Sequence, residues 1–167
     1  LKMWDAPSPL DRVLGAWRAI AEKRDAGFIA NLLRSQLGGI ISGGESIQKL
    51  GAELAAKYGI QEVEPVLVAV VGDSTKADSS RVAAIKALDR LDSKAIAKLA
   101  EASLKDDSPD VRVAARQISV RRNPDAAATI LARAILDGTT VEQQAAIAQL
   151  AELKRADADA VLTDWLS

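Results

Sequence analysis

Arg81-Val82-Ala83-Ala84-Ile85-Lys86-Ala87-Leu88, set above Arg112-Val113-Ala114-Ala115-Arg116-Gln117-Ile118-Ser119 and Gln143-Gln144-Ala145-Ala146-Ile147-Ala148-Gln149-Leu150, repeats its small and apolar positions at a spacing of 31 residues, twice, without a gap. The following segment keeps the offset. Ile96, Ala127 and Ala158 correspond, as do Leu99, Ile130 and Val161, then Ala100, Leu131 and Leu162, then Leu104, Ile135 and Leu166. A fixed period of this length marks stacked units, each too small to bury its apolar face alone. Within a unit the apolar residues stand three and four apart, Val82, Ile85, Leu88 and Leu91 in one run and Ile96, Leu99, Ala100 and Leu104 in the next. That is the spacing of a helix face rather than of a strand. Each unit therefore reads as two helices.

Punctuation agrees with this division. Asp92-Ser93, Ser108-Pro109-Asp110 and Asn123-Pro124-Asp125 supply capping side chains and first-turn prolines where helices should start, and Gly138-Thr139-Thr140 closes another pair. Upstream the pattern loosens to an offset of roughly 31 to 34 residues, with Ile47, Leu50, Leu54 and Tyr58 on one helix and Val63, Val66, Leu67 and Val70 on the next. A helix over Leu10–Ala21 is expected behind Ser8-Pro9, striped by Leu10, Val13, Leu14, Trp17 and Ile20, and a second over Ala26–Leu37. The sequence thus predicts one all-α domain, a right-handed α-α solenoid of about ten helices in five pairs: 10–37, 45–72, 78–106, 110–137 and a C-terminal capping repeat over 141–167. Ile85, Leu88, Leu99, Val113, Ile118, Ile130, Leu131, Ile147, Leu150 and Leu162 are expected between repeats.

Composition narrows the function. Of 167 residues, 49% are hydrophobic but only 3% aromatic, and 32 are alanine, which favours closely packed helices over a β-sandwich. Lys and Arg total 22 against 23 Asp and Glu, so the net charge of -1 gives no electrostatic reason to expect nucleic acid or an acidic membrane. With no Cys and no His, thiol chemistry, Ser-His triads, haem attachment through Cys-x-x-Cys-His and the usual zinc or copper sites are excluded. The longest strongly apolar run, Val66 to Val71, is far short of the ~20 residues that span a bilayer. The opening Leu1-Lys2-Met3-Trp4 and the stop at Trp165-Leu166-Ser167 read as the ends of a piece excised from a longer protein. Missing cysteine fits a reducing cytosol and an exported, disulfide-free protein equally, which leaves the compartment open.

Asp106-Asp107-Ser108-Pro109-Asp110-Val111-Arg112-Val113-Ala114-Ala115 resembles the hallmark of HEAT repeats: an acidic turn, proline, Val-Arg and paired small residues. Arg81 keeps the arginine position without the preceding proline, and the last repeat departs further, with Gln143 for Arg and Thr140-Val141 for Pro-Asp. The period is shorter than the ~40 to 47 residues usual for HEAT and armadillo units and matches the short, bacterial HEAT-like kind. Tetratricopeptide repeats compete on period, but their Trp-x-x-Leu-Gly-x-x-Tyr signature is absent. The resemblance covers residues 45–167, and residues 10–37 only by helical pairing. It implies that Arg81 and Arg112 pair with turn carboxylates of adjoining repeats, Asp73, Asp106 and Asp137 being the natural partners. Met3 to Asp11 is also similar to the opening of helical middle segments in large exported bacterial proteins that carry a sugar-dehydrogenase-like β-propeller before and a c-type cytochrome after. That likeness implies a spacer or docking segment whose redox chemistry belongs to its neighbours.

Candidate chemistry is sparse. Gly38-Gly39-Ile40-Ile41-Ser42-Gly43-Gly44 precedes a helix as a phosphate loop would, but no Lys-Ser or Lys-Thr follows and no strand precedes, so it reads as an inter-repeat loop. Asp106-Asp107 and Asp157 with Asp159 are better explained by capping than by acid-base or metal work. Arg121-Arg122 offer phosphate contacts, yet residues 81–122 carry ten basic and six acidic side chains against three and seven in 123–167, so the two halves complement each other. HEAT-like DNA glycosylases set a basic concave face with aromatic contacts, whereas Trp4, Trp17 and Trp165 sit near the ends here as expected end caps, which disfavours nucleic acid. No catalytic, cofactor or metal residues are assigned. The expected function is a non-catalytic protein-binding scaffold or a docking segment for neighbouring domains, with no membrane insertion. Second helices are expected to line the concave side, with Lys98, Glu101, Lys105, Thr129, Arg133 and Asp164 as the contact row.

Overall fold

The computed structural model describes residues 10, 13–17 and 25–166. Among these it is all-helical, with ten α-helices and no strand: α1 (Ala26–Arg34), α2 (Leu37–Ile41), α3 (Glu45–Tyr58), α4 (Glu64–Gly72), α5 (Asp78–Arg90), α6 (Ile96–Ser103), α7 (Pro109–Arg122), α8 (Ala127–Asp137), α9 (Thr140–Leu153) and α10 (Ala156–Leu166). Short 3-10 turns over Gln61–Val63 and Pro124–Ala126 lead into α4 and α8.

The expected first helix is corrected. Val13 and Leu14 form a turn, Gly15 takes φ +63°, and Leu10 and Trp17 meet in one antiparallel bridge. Gly15 alone in that stripe adopts a left-handed backbone without a Cβ penalty, which reverses the chain. The stripe is accordingly not a core face: Val13 is 92% and Trp17 76% exposed. Ser8-Pro9, Trp4, Ile20 and Ala21 lie outside the described residues. The second expected helix, Ala26–Leu37, ends early at Arg34, and Leu37 opens α2, which takes in Gly38 and Gly39 of the glycine run. Only Ser42, Gly43 and Gly44 form the expected loop, Gly44 being the N-cap of α3.

From α3 onward the punctuation works at atomic level. The Ser108 hydroxyl accepts from the Val111 amide ahead of Pro109, and Thr139 with Glu142 forms a reciprocal capping box at α9. Ser93 accepts from the Ala95 amide and donates to Glu64, tying the start of α6 to α4. First helices contact one another in succession, α3 on α5, α5 on α7 and α7 on α9. Each second helix lies most broadly against the first helix that follows it, α4 on α5, α6 on α7 and α8 on α9, rather than against its own partner.

A side-chain donor explains that preference. Arg81 Nε donates to the Val71 carbonyl at 3.1 Å, Arg112 Nη1 to those of Asp106 and Asp107 at 2.6 and 3.0 Å, and Gln143 Nε2 to that of Ile135 at 2.9 Å. These three residues share one register position, 31 apart. Val71 and Ile135 lie in the last turns of α4 and α8, where carbonyls lack helical donors, and Asp106 and Asp107 lie in the loop after α6; at Val71 the helix dipole also favours the Arg81 cation.

Buried apolar residues form two clusters that meet along α7. The larger includes Leu37, Ile60, Leu67, Ile85, Leu88 and Ile96 and ends with Ile118. The smaller begins at Val120 and gathers Leu131, Ile135, Leu150 and Ala158. Of the expected core, Ile85, Leu88, Ile118, Leu131 and Leu150 are buried, whereas Leu99, Val113, Ile130, Ile147 and Leu162 are only half-buried. These five positions flank the buried stripe of their helices rather than centre it, so they stay at its edge.

Asp92, Asn123 and Lys154 share another register position, the turn between the helices of a pair, and Asp92 and Lys154 take left-handed φ of 51° and 49°. Relieving that backbone cost in Lys154→Gly, net of glycine's greater chain entropy, is expected to raise stability by roughly 0.5–1 kcal/mol. A higher denaturant midpoint with an unchanged slope is the expected result; a lower midpoint contradicts it.

Candidate functional site

A groove of about 840 Å³ lies over α5, walled by α3 and α7. Ala83 and Ala87 lie along its floor, with Ala52 and Ala56 from α3 and Val113 and Ala114 from α7 at the sides. Small side chains let α3 and α5 approach closely and leave a depression above them. On α5 and α7 the lining repeats in register, Ser79 with Asp110, Val82 with Val113, Ala83 with Ala114 and Lys86 with Gln117. The N-termini of α3 and α5 lie side by side, because Ser79 Oγ donates to Glu45 at 2.9 Å and Ser80 Oγ to the Glu45 carbonyl at 3.3 Å. The two helices therefore run parallel.

Charges line the rim. Lys49 and Lys57 stand on α3, Lys86 and Arg90 on α5, against the carboxylates of Glu53 and Asp110. Lys57 also lies over the Tyr58 ring, 5.3 Å from its centroid.

A polar seam flanks the groove's α7 wall. Glu142, 3% exposed, accepts from Arg112 Nε and Nη2 at 2.9 and 2.7 Å, from Arg116 at 3.0 Å, and from the Thr139 amide and hydroxyl at 3.0 and 2.9 Å. The Arg112 hydrogen bonds, with those of Thr139 and Arg116, hold its carboxyl far below the usual carboxylate range against the opposing effect of burial. Arg81 pairs with Asp106 as the HEAT resemblance implies. Burial raises the Asp106 pKa, but Arg81 and the Ser108 amide outweigh it and keep the group below its ordinary value. Arg112 departs from the expectation: its carboxylate is Glu142 rather than Asp137, which pairs with Arg133 one turn back, while Asp73 instead accepts from Thr75. Glu142, third residue of α9, reaches back to α7 because the capping box already fixes its side chain.

The expected contact row falls on second helices and the turn after α6. Lys98 and Glu101 are exposed on α6, Lys105 in the turn after it, Thr129 and Arg133 on α8, and Asp164 on α10. None lines the large groove, which belongs to first helices; Asp164 borders a smaller hollow of about 320 Å³ with Leu136 and Trp165. Arg121 and Arg122 are occupied by Asp89 and Asp92, and Asp157 by Arg155. Among the described residues no cluster of three acidic side chains could hold a metal ion, and no helix is long and apolar enough to cross a membrane. Sequence reasoning missed the groove, although its signal was present as alanine and valine recurring at 31 residues on the flank of the core stripe. Compared with family models, curated proteins and solved structures, the chain matches none.

Proposed function

We propose that this chain is a non-catalytic protein-binding scaffold, an α-solenoid of the short HEAT-like kind, whose binding seat is the groove over α5. The observation that carries this reading is a trough floored by alanine and lined by three consecutive first helices, α5 and α7 in register, the shape into which a polypeptide segment packs its side chains. The succession of contacts from α3 to α9 supports the solenoid reading. A trough without aromatic rings suits aliphatic side chains better than a sugar or a nucleobase.

Selection of displayed 14-residue peptides on the immobilised chain tests this. Binders with Kd of about 1 to 100 µM are expected, the range of a single short segment. Ala83→Trp, which fills the floor at a half-buried position, should abolish their binding, and Thr129→Ala with Arg133→Ala should leave it intact. Binders lost only with the second pair would move the seat to α8; an empty selection would remove the reading.

A further inference from the structure

The groove's shape and charge narrow its occupant. Its α5 lining runs from Ser79 to Arg90, three helical turns and about 16 Å at 1.5 Å per residue. Parallel walls on either side of a helical floor make a seat for another helix rather than for an extended strand, which would need a free sheet edge. The floor offers small side chains, so the complementary surface has large aliphatic ones.

The rim supplies the second half of the argument. Among the described residues, Arg34, Arg81, Arg112, Arg116, Arg121, Arg122, Arg133 and Arg155 each have a carboxylate partner. Arg90 is the one described arginine without such a partner, and it stands on the groove one turn beyond Lys86, which has none either. Lys49, on the α3 wall, is likewise unpaired among the described residues. A chain that commits its other described arginines to its own carboxylates leaves this one for something that arrives.

We propose that the groove receives an amphipathic helix of a partner protein, with aliphatic side chains on the alanine floor and carboxylates against Lys49, Lys86 and Arg90. This rests on the protein-binding reading and adds the partner's chemistry. Desolvated between two proteins, such pairs gain more than at an open surface and also steer the encounter.

Three synthetic 14-residue helices with one leucine stripe, differing only in Glu, Gln or Lys at the flanking positions, test it by calorimetry or fluorescence anisotropy. The Glu peptide is expected to bind at least tenfold tighter than the Gln peptide at low ionic strength, and the Lys peptide weaker than both. The advantage should shrink in 1 M salt, where screening reaches ~3 Å. Lys86→Gln with Arg90→Gln should erase most of it, so that the Glu and Gln peptides bind nearly alike; both positions are exposed, and Arg90→Gln alone should remove part of it. Equal affinity for the Glu and Gln peptides, with binding still blocked by Ala83→Trp, overturns the acidic partner and spares the scaffold. Failure of all three peptides overturns both. Concentration-dependent self-association that excludes the Glu peptide assigns the groove to a second copy, and its displacement by a short oligonucleotide assigns the site to polyanions; either result overturns the proposal.

Discussion

Replacing Glu142 with alanine is expected to cost about 3–5 kcal/mol, the range for breaking a buried ion pair and leaving its partners uncompensated. One substitution removes the acceptor of Arg112 and Arg116, both largely buried, and the reciprocal half of the α9 capping box. Urea unfolding measures it; a loss below about 1 kcal/mol would place this carboxylate among exposed pairs. The same group predicts the acid limb. Because the folded carboxyl titrates well below its ordinary 4.5, the unfolded chain takes up the proton first. The stabilisation is present at neutral pH and declines as pH falls below about 4.5, with Asp106 contributing in the same direction from 3.8. Glu142→Gln should make that decline shallower, and an unchanged slope would assign it to other groups.

Leu88→Ala is expected to cost roughly 2–5 kcal/mol, and Leu99→Ala less than about 2 kcal/mol, because transfer and cavity terms both scale with what is removed from a closed site. Leu88 is 0% exposed, while Leu99 lies half-buried at the cluster's margin. The sequence ranks the two equally, each on an apolar stripe. Comparable losses for both variants would mean that α6 is more enclosed than its packing against α7 indicates.

Residues 78–166 are largely legible in the sequence, because there the period, the caps and the core stripe agree: Ser108-Pro109 starts α7, Thr139 starts α9, and Ile85, Ile118 and Leu150 are buried. Around Leu10–Trp17 one local choice defeated the pattern, since Gly15 permits a reversal that an apolar stripe does not reveal. The polar seam was half legible. Arg81 with Asp106 follows from a turn carboxylate in register, but Arg112 with Glu142 depends on a capping box that orients the acid, a feature of side-chain geometry rather than of spacing. The groove escaped because a one-dimensional pattern identifies what faces inward, whereas concavity depends on how three neighbouring helices are set against each other.

The residues at 81, 112 and 143 bear on how such a chain can lengthen. Three helix pairs end with carbonyls that their own helices leave open, and Arg81, Arg112 and Gln143 at the start of the pairs that follow supply the donors that close them. A duplicated block of 31 residues therefore inherits both halves of the joint wherever the copy is cut, and the enlarged chain has no orphaned seam. Donor and acceptor stand 10 residues apart at the first joint, 5 and 6 at the second and 8 at the third, so the loop between them can change length while the joint is kept.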